Sequence, residues 1–120
     1  MSHIVHIQTE VRDPVAISSA CARLSLPQPI QGEHQIFTKR VTGLGVQLPQ
    51  WQFPVVCQAE TGQVQYDNYE GRWGDPTQLD RFLQGYAVEA AKQEARRQGY
   101  SVTEQSLEDG SIRLAIQVGG

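Results

Sequence analysis

The stretch DPTQLDRFLQGYAVEAAKQEARRQGYSVTEQSLEDGSIRLAIQV, residues 75–118, decides the fold. Asp75 followed by Pro76 marks a helix start. The aspartate side chain accepts from the first free N–H groups, and a proline at the first helical position forfeits no hydrogen bond. Leu79, Phe82, Leu83, Tyr86, Ala87 and Ala90 then recur at helical spacing and form one apolar stripe. Arg96 and Arg97 fall in the last turns, where positive charge complements the helix dipole, and Gly99 occupies the left-handed position that ends many helices. Tyr100 and Val102 open a strand and Asp109-Gly110 turns the chain. Ile112, Leu114, Ile116 and Val118 alternate with Ser111, Arg113, Ala115 and Gln117 in a second strand. A helix followed by a strand hairpin, without repeated β-α-β units, points to an α+β fold with an antiparallel sheet.

Outward from this segment the signals shorten. Residues 3–11 read as a strand with Val5, Ile7 and Val11 on one parity. Asp13-Pro14 repeats the helix-start signature, Ile17, Ala20, Cys21 and Leu24 make the buried stripe, and Pro27 and Pro29 end the helix. Four strands are expected between Gln31 and Asp67. They are marked by Ile36, Phe37 and Val41; by Leu44, Val46 and Leu48; by Val55, Val56 and Cys57; and by Val64 and Tyr66. Thr61-Gly62 suits a tight connection between the last two. Pro49 to Pro54 is a proline-bounded corner carrying Trp51 and Phe53, and Asn68 to Gly74 is a glycine-punctuated loop. The expected architecture is one α+β domain over residues 1–120 in the order β-α-β-β-β-β-α-β-β. Its sheet would be mostly antiparallel, of about six to seven strands, with both helices on one face.

Composition narrows the function classes. Ten Lys and Arg against thirteen Asp and Glu give a net charge of −3, which lacks the basic excess that drives binding to a phosphate backbone, so nucleic acid is not an expected partner. Two cysteines, Cys21 and Cys57, set in apolar patterns, do not make a secreted disulfide framework and point to a reducing, cytoplasmic setting. Met1-Ser2-His3 runs straight into Ile4 and Val5 with no export signature, and no apolar run has the length of a membrane span.

Candidate sites are sparse. His3 and His6 lie three apart in a strand and so face opposite ways, and no pair of cysteines or histidines has ligand spacing. A polar site assembled across strands from His3, His34 and Cys57 with neighbouring carboxylates would make the chain a small enzyme or a ligand- or metal-binding protein. Cys21 and Cys57 otherwise read as inert core thiols. Asp67 and Glu70 read as turn and surface residues. No catalytic, metal or cofactor motif is present. Gly119-Gly120 is the ending used by ubiquitin-like carriers and makes such a carrier a lesser alternative, since these two residues past the last strand are too short a tail to reach an enzyme channel. The richest constellation is aromatic. Trp51, Phe53, Tyr69 and Trp73 with Arg72 are the residue types that anchor protein interfaces, although the same rings would also serve to close the end of the core.

The Met1-Ser2-His3 start leading into a strand with Thr9 and Glu10, the Tyr86-Ala87 helix centre, the Gln98-Gly99-Tyr100 helix exit and Asp109-Gly110-Ser111-Ile112 in the final hairpin together resemble a known family. It is that of the small hypothetical chloroplast reading-frame proteins of algal plastids and cyanobacteria, with relatives in other bacteria. The likeness runs over nearly the whole chain, strongly after Tyr69 and weakly between Gln28 and Pro54. The family carries no established activity, so the resemblance implies no reaction. Its genes often neighbour those of AAA-type ATPases, which implies such an ATPase as a partner, and membership would place a plastid-encoded copy in the stroma. The expected function is therefore a non-enzymatic protein-binding or adaptor domain. A homodimer would cover the sheet face and edge that two helices leave free.

Overall fold

The computed structural model describes residues 5–7 and 10–118. Nine elements follow in the order β1 (Val5–Ile7), α1 (Pro14–Arg23), β2 (Ile30–Ile36), β3 (Lys39–Val46), β4 (Val55–Gln58), β5 (Gln63–Tyr66), α2 (Pro76–Arg97), β6 (Ser101–Ser106) and β7 (Ile112–Gln117). The α+β class and the alternation of elements match the sequence reading. The sheet does not form as one piece: five antiparallel strands pair in the order β1-β5-β4-β3-β2, while β6 and β7 form a separate two-stranded ribbon.

Both helices start as their sequences dictate. The Asp13 carboxylate accepts from Val15 N at 2.9 Å and Ala16 N at 3.3 Å, and Asp75 accepts from Thr77 N at 2.9 Å. At the far end of α2, Gly99 adopts φ +81°, and Gly99 N and Tyr100 N donate to Arg96 O and Ala95 O. The apolar stripes of α1 and α2 meet the same face of the five-stranded sheet. Ile17, Ala20 and Cys21 from α1 and Leu79, Phe82 and Tyr86 from α2 form one buried cluster with Val46, Val55, Cys57 and Val64. The Tyr86 hydroxyl locks the helices to the chain between β1 and α1. It accepts from Arg12 N at 3.0 Å and Asp13 N at 3.1 Å and donates to Glu10 O at 3.3 Å.

The β2–β3 hairpin departs from expectation. Ile36, Phe37 and Val41 do not lie in one strand: the chain reverses at Phe37-Thr38, and Ile36 pairs with Lys39. Phe37 adopts φ +53° there, a region that glycine favours, so no local turn residue announces the reversal. The hairpin is also strongly curled. Four steps of extended strand separate Cα atoms by about 13 Å, farther than an imidazole reaches, yet His34 Nε2 donates to Ile30 O at 2.7 Å. Gly45 leaves the room that the folded-over His34 ring fills, and Gly43 lets β3 lie close to β4. A β-carbon on Gly45 would lie 2.4 Å from the His34 ring, and one on Gly43 would lie 2.7 Å from Cys57 O. Folded over in this way, Ile36 and Val41 bury Val56 in a second small core on the face opposite the helices.

The ribbon is tied to the helices by charge. Arg23 of α1 binds Glu89 of α2 at 3.1 Å and also pairs with Glu104 of β6; Lys92 of α2 reaches Glu104 at 3.0 Å and Glu89 at 3.5 Å. Two cations and two carboxylates from three elements therefore share one network. Among the described residues, no helix is long and apolar enough to cross a membrane.

Candidate functional site

The aromatic residues converge, with one exception. Loop 67–74 is built around Asn68, whose carbonyl accepts from Gly71 N at 3.1 Å and Trp73 N at 2.9 Å, and whose Nδ2 donates to Gly74 O at 3.2 Å. This compact knot drives Tyr69 (φ +48°) and Glu70 (φ +54°) into the left-handed region and presents Tyr69 and Trp73 side by side, ring centroids 4.7 Å apart. The corner after β3 adds Phe53, edge-on to Trp73 at 5.6 Å, and is itself fastened by Gln52 N donating to Trp73 O at 2.9 Å. The tip of the curled β2–β3 hairpin brings in Phe37, 5.2 Å from Trp73 and 6.4 Å from Phe53. The Arg72 guanidinium sits over the Tyr69 ring, 5.1 Å from its centroid. Four rings and one cation from three separate segments thus form a half-exposed platform.

Trp51 belongs to the core instead. It is 4% exposed, stacks edge-on to Tyr66 at 5.6 Å and donates its indole N–H to Asp75 O at 3.0 Å. The sequence pointed to Phe53, Tyr69, Arg72 and Trp73 but missed Phe37, because the distance between hairpin tip and loop closes only through the curl of β2 and β3. A bulky residue two positions before Lys39, at the point where the strand pattern lengthens beyond a normal strand, is the only local trace of that turn.

Of the polar alternative, His34 and Cys57 are not brought together. Strand pairing sets His34 on the face with Val41, Gly45 and Val56, whereas Cys57 pairs with Leu44 and Val64 on the helix-covered face. His34 and Cys57 therefore lie on opposite sides of the sheet. His3 lies outside the described residues, as do Gly119 and Gly120. Burial pushes the Cys57 thiol up to about 12, with the neighbouring Cys21 adding to it, and pushes Cys21 up to about 11. Both thiols thus stay protonated and unreactive near neutral pH. Among the described residues, no three His, Cys, Asp or Glu side chains converge on a point.

Two of the hollows among the described residues have room for a ligand. A cavity of about 530 Å³ opens between Pro14, Gln31, Thr42, Gln58, Glu60 and Thr61. Two ionisable residues line it, Glu60, which is exposed, and Cys57, whose thiol is held protonated by burial. A shallower groove of about 440 Å³ runs along Arg12, Asp13, Tyr86, Glu94 and Arg97. Its polar groups are spoken for: Tyr86 by the backbone bonds above, and Arg97 by Glu94 at 2.7 Å and Asp13 at 3.9 Å.

Comparison with known proteins yields no relative for this chain: no family model matches it, and no curated protein and no solved structure aligns with it significantly.

Proposed function

We propose that this chain is a non-enzymatic protein-binding or adaptor domain that recognises its partner through Phe37, Phe53, Tyr69, Arg72 and Trp73. One observation carries the reading. Of the five side-chain-bearing residues with left-handed backbone among the described residues, three, Phe37, Tyr69 and Glu70, lie at this one place; the others are Ser25 after α1 and Gln50 in the proline corner. Each such residue costs on the order of 1 kcal/mol, a strain that concentrates at working surfaces. A core needs no strained loops to be closed, and the loop is already anchored by Trp51 beneath it. Large rings with an arginine beside them are what interface anchors are made of.

The resemblance to the chloroplast reading-frame family supports an AAA-type ATPase as the first partner to test, in a cytoplasmic or stromal setting. The experiment is capture of host proteins on the immobilised chain, with Trp73→Ala as the matched control. Under this reading an ATPase is retained by the native chain and lost from the variant while the circular dichroism of both agrees. Equal retention by both would refute the platform.

A further inference from the structure

A second surface, separate from the aromatic platform, lies on the ribbon. Neither outer edge of β6 or β7 is paired among the described residues. A two-stranded ribbon is marginal by itself, and an exposed edge with an apolar face is a template for another strand; β7 carries one charge, Arg113, on its opposite face. The two edges differ in kind. The face of β6 turned towards the helices carries Val102, Glu104 and Ser106, and Glu104 is engaged with Arg23 and Lys92. The matching face of β7 carries Ile112, Leu114 and Ile116, continued by Val118. Exposure rises along that row. Ile112 and Leu114 are half-buried, Ile116 is 46% exposed and Val118 70%. The strand begins under the cover of α2 and ends bare.

We propose that β7 pairs antiparallel with β7 of a second copy of this chain about a two-fold axis through Ala115, joining two ribbons into one four-stranded sheet in the order β6-β7-β7-β6. A two-fold interface must be complementary to itself, and this register is. Leu114 meets Ile116 of the second copy, Ile112 meets its Val118, and Arg113 meets its Gln117. The bare end of each strand is set beside the covered start of the other. Adjacent registers do worse. Centring on Arg113 opposes two guanidiniums, centring on Leu114 leaves Val118 opposite Gly110, and centring on Ile116 leaves Ile112 opposite residue 120. Of the other free edges, self-pairing of β6 about Thr103 places Val102 against Glu104, β2 is curled, and β1 is only three residues long.

The test is the mass of the full chain by size exclusion with light scattering at tens of micromolar, together with oxidative crosslinking of Ala115→Cys. Directly opposed strand residues fall within disulfide reach, and Cys21 and Cys57 are buried and do not compete. Expected are twice the 13.4 kDa chain mass, a covalent dimer from Ala115→Cys, none from Thr103→Cys on the other strand, and a monomer with unchanged circular dichroism from Ile116→Lys with Val118→Lys. A native chain of single mass overturns the proposal. So does a dimer that forms no 115–115 bridge and survives the double lysine variant. Trp73→Ala, which tests the platform, is expected to leave the doubled mass intact, so the two proposals fail independently.

Discussion

The indole of Trp51 lies so close to Gly74 that a β-carbon at that glycine would sit 2.3 Å from the ring. The contact joins the core to the aromatic loop, because Trp51 is buried among core side chains while Gly74 ends the knot that presents Tyr69 and Trp73. Gly74→Ala is therefore expected to overpack the site and cost about 1–3 kcal/mol. Gly45→Ala makes a clash of similar closeness, but against the half-buried His34 ring, which can swing aside. Its cost should be clearly smaller. Urea unfolding midpoints of the two variants decide the order, and a Gly45→Ala variant as unstable as Gly74→Ala would refute it.

Phe37 offers a way to separate recognition from stability. Phe37→Gly releases a strained φ of +53° but removes the ring that touches Phe53 and Trp73. Strain relief on the order of 1 kcal/mol offsets only part of the loss of two ring contacts, about 0.5–1.5 kcal/mol each, and of the burial of a mostly covered ring, about 1–2 kcal/mol. The variant should therefore stay folded with a loss of about 1–3 kcal/mol while partner capture falls. Titration calorimetry against a captured partner would contradict the platform if affinity were retained.

Trp73 touches three other rings and should behave as an interface anchor. Trp73→Ala is expected to lose about 2 kcal/mol or more of binding free energy while the far-ultraviolet spectrum is kept. If the variant unfolds, the rings serve only to cap the core.

Acid should loosen the ribbon first. Hydrogen bonds from Arg23 and Lys92 lower Glu104 from the usual 4.5 to about 2. A carboxylate with a depressed folded value stabilises the native state above its unfolded value, and that contribution is lost as pH falls through the folded one. Amide protection in β6 and β7, taken relative to the intrinsic exchange rate at each pH, should accordingly fall between about pH 4.5 and pH 2, before the main sheet opens. Glu104→Gln should show fast ribbon exchange at neutral pH with the acid step flattened. An unchanged pH profile in that variant would remove Glu104 as the cause.

The thiols give a check on the core. With Cys21 raised to about 11 and Cys57 to about 12, neither should react with a disulfide reagent at pH 8 in the native chain, and both should react in denaturant. Rapid native labelling of either would show that α1 does not seal the sheet.

The parts of this fold legible in the sequence are those fixed by local chemistry. Asp13-Pro14 and Asp75-Pro76 begin the helices, and Gly99 and Asp109-Gly110 end and turn the chain where side-chain type alone dictates it. The β2–β3 reversal escaped because it runs through Phe37, a residue with no turn preference, held in place by Trp73 and Phe53. The detachment of the ribbon escaped because alternation of Ile112, Leu114 and Ile116 reports a buried face and says nothing about which sheet lies beside it. Four of the five residues of the platform, Phe53, Tyr69, Arg72 and Trp73, are readable as residue types in a corner and a loop. Its membership, with Phe37 added and Trp51 withdrawn into the core, depended on how a hairpin bends.

The curl over Gly43 and Gly45 has a consequence for anyone seeking a minimal binder. Because the hairpin tip, the proline corner and the glycine loop contribute rings to one patch, no linear peptide cut from the chain can compete for whatever the patch engages. Antibodies raised against such fragments should miss it. On the proposed reading, opening of the hairpin alone would part Phe37 from Phe53 and Trp73, so partner capture would report the shape of the hairpin as well as the fold.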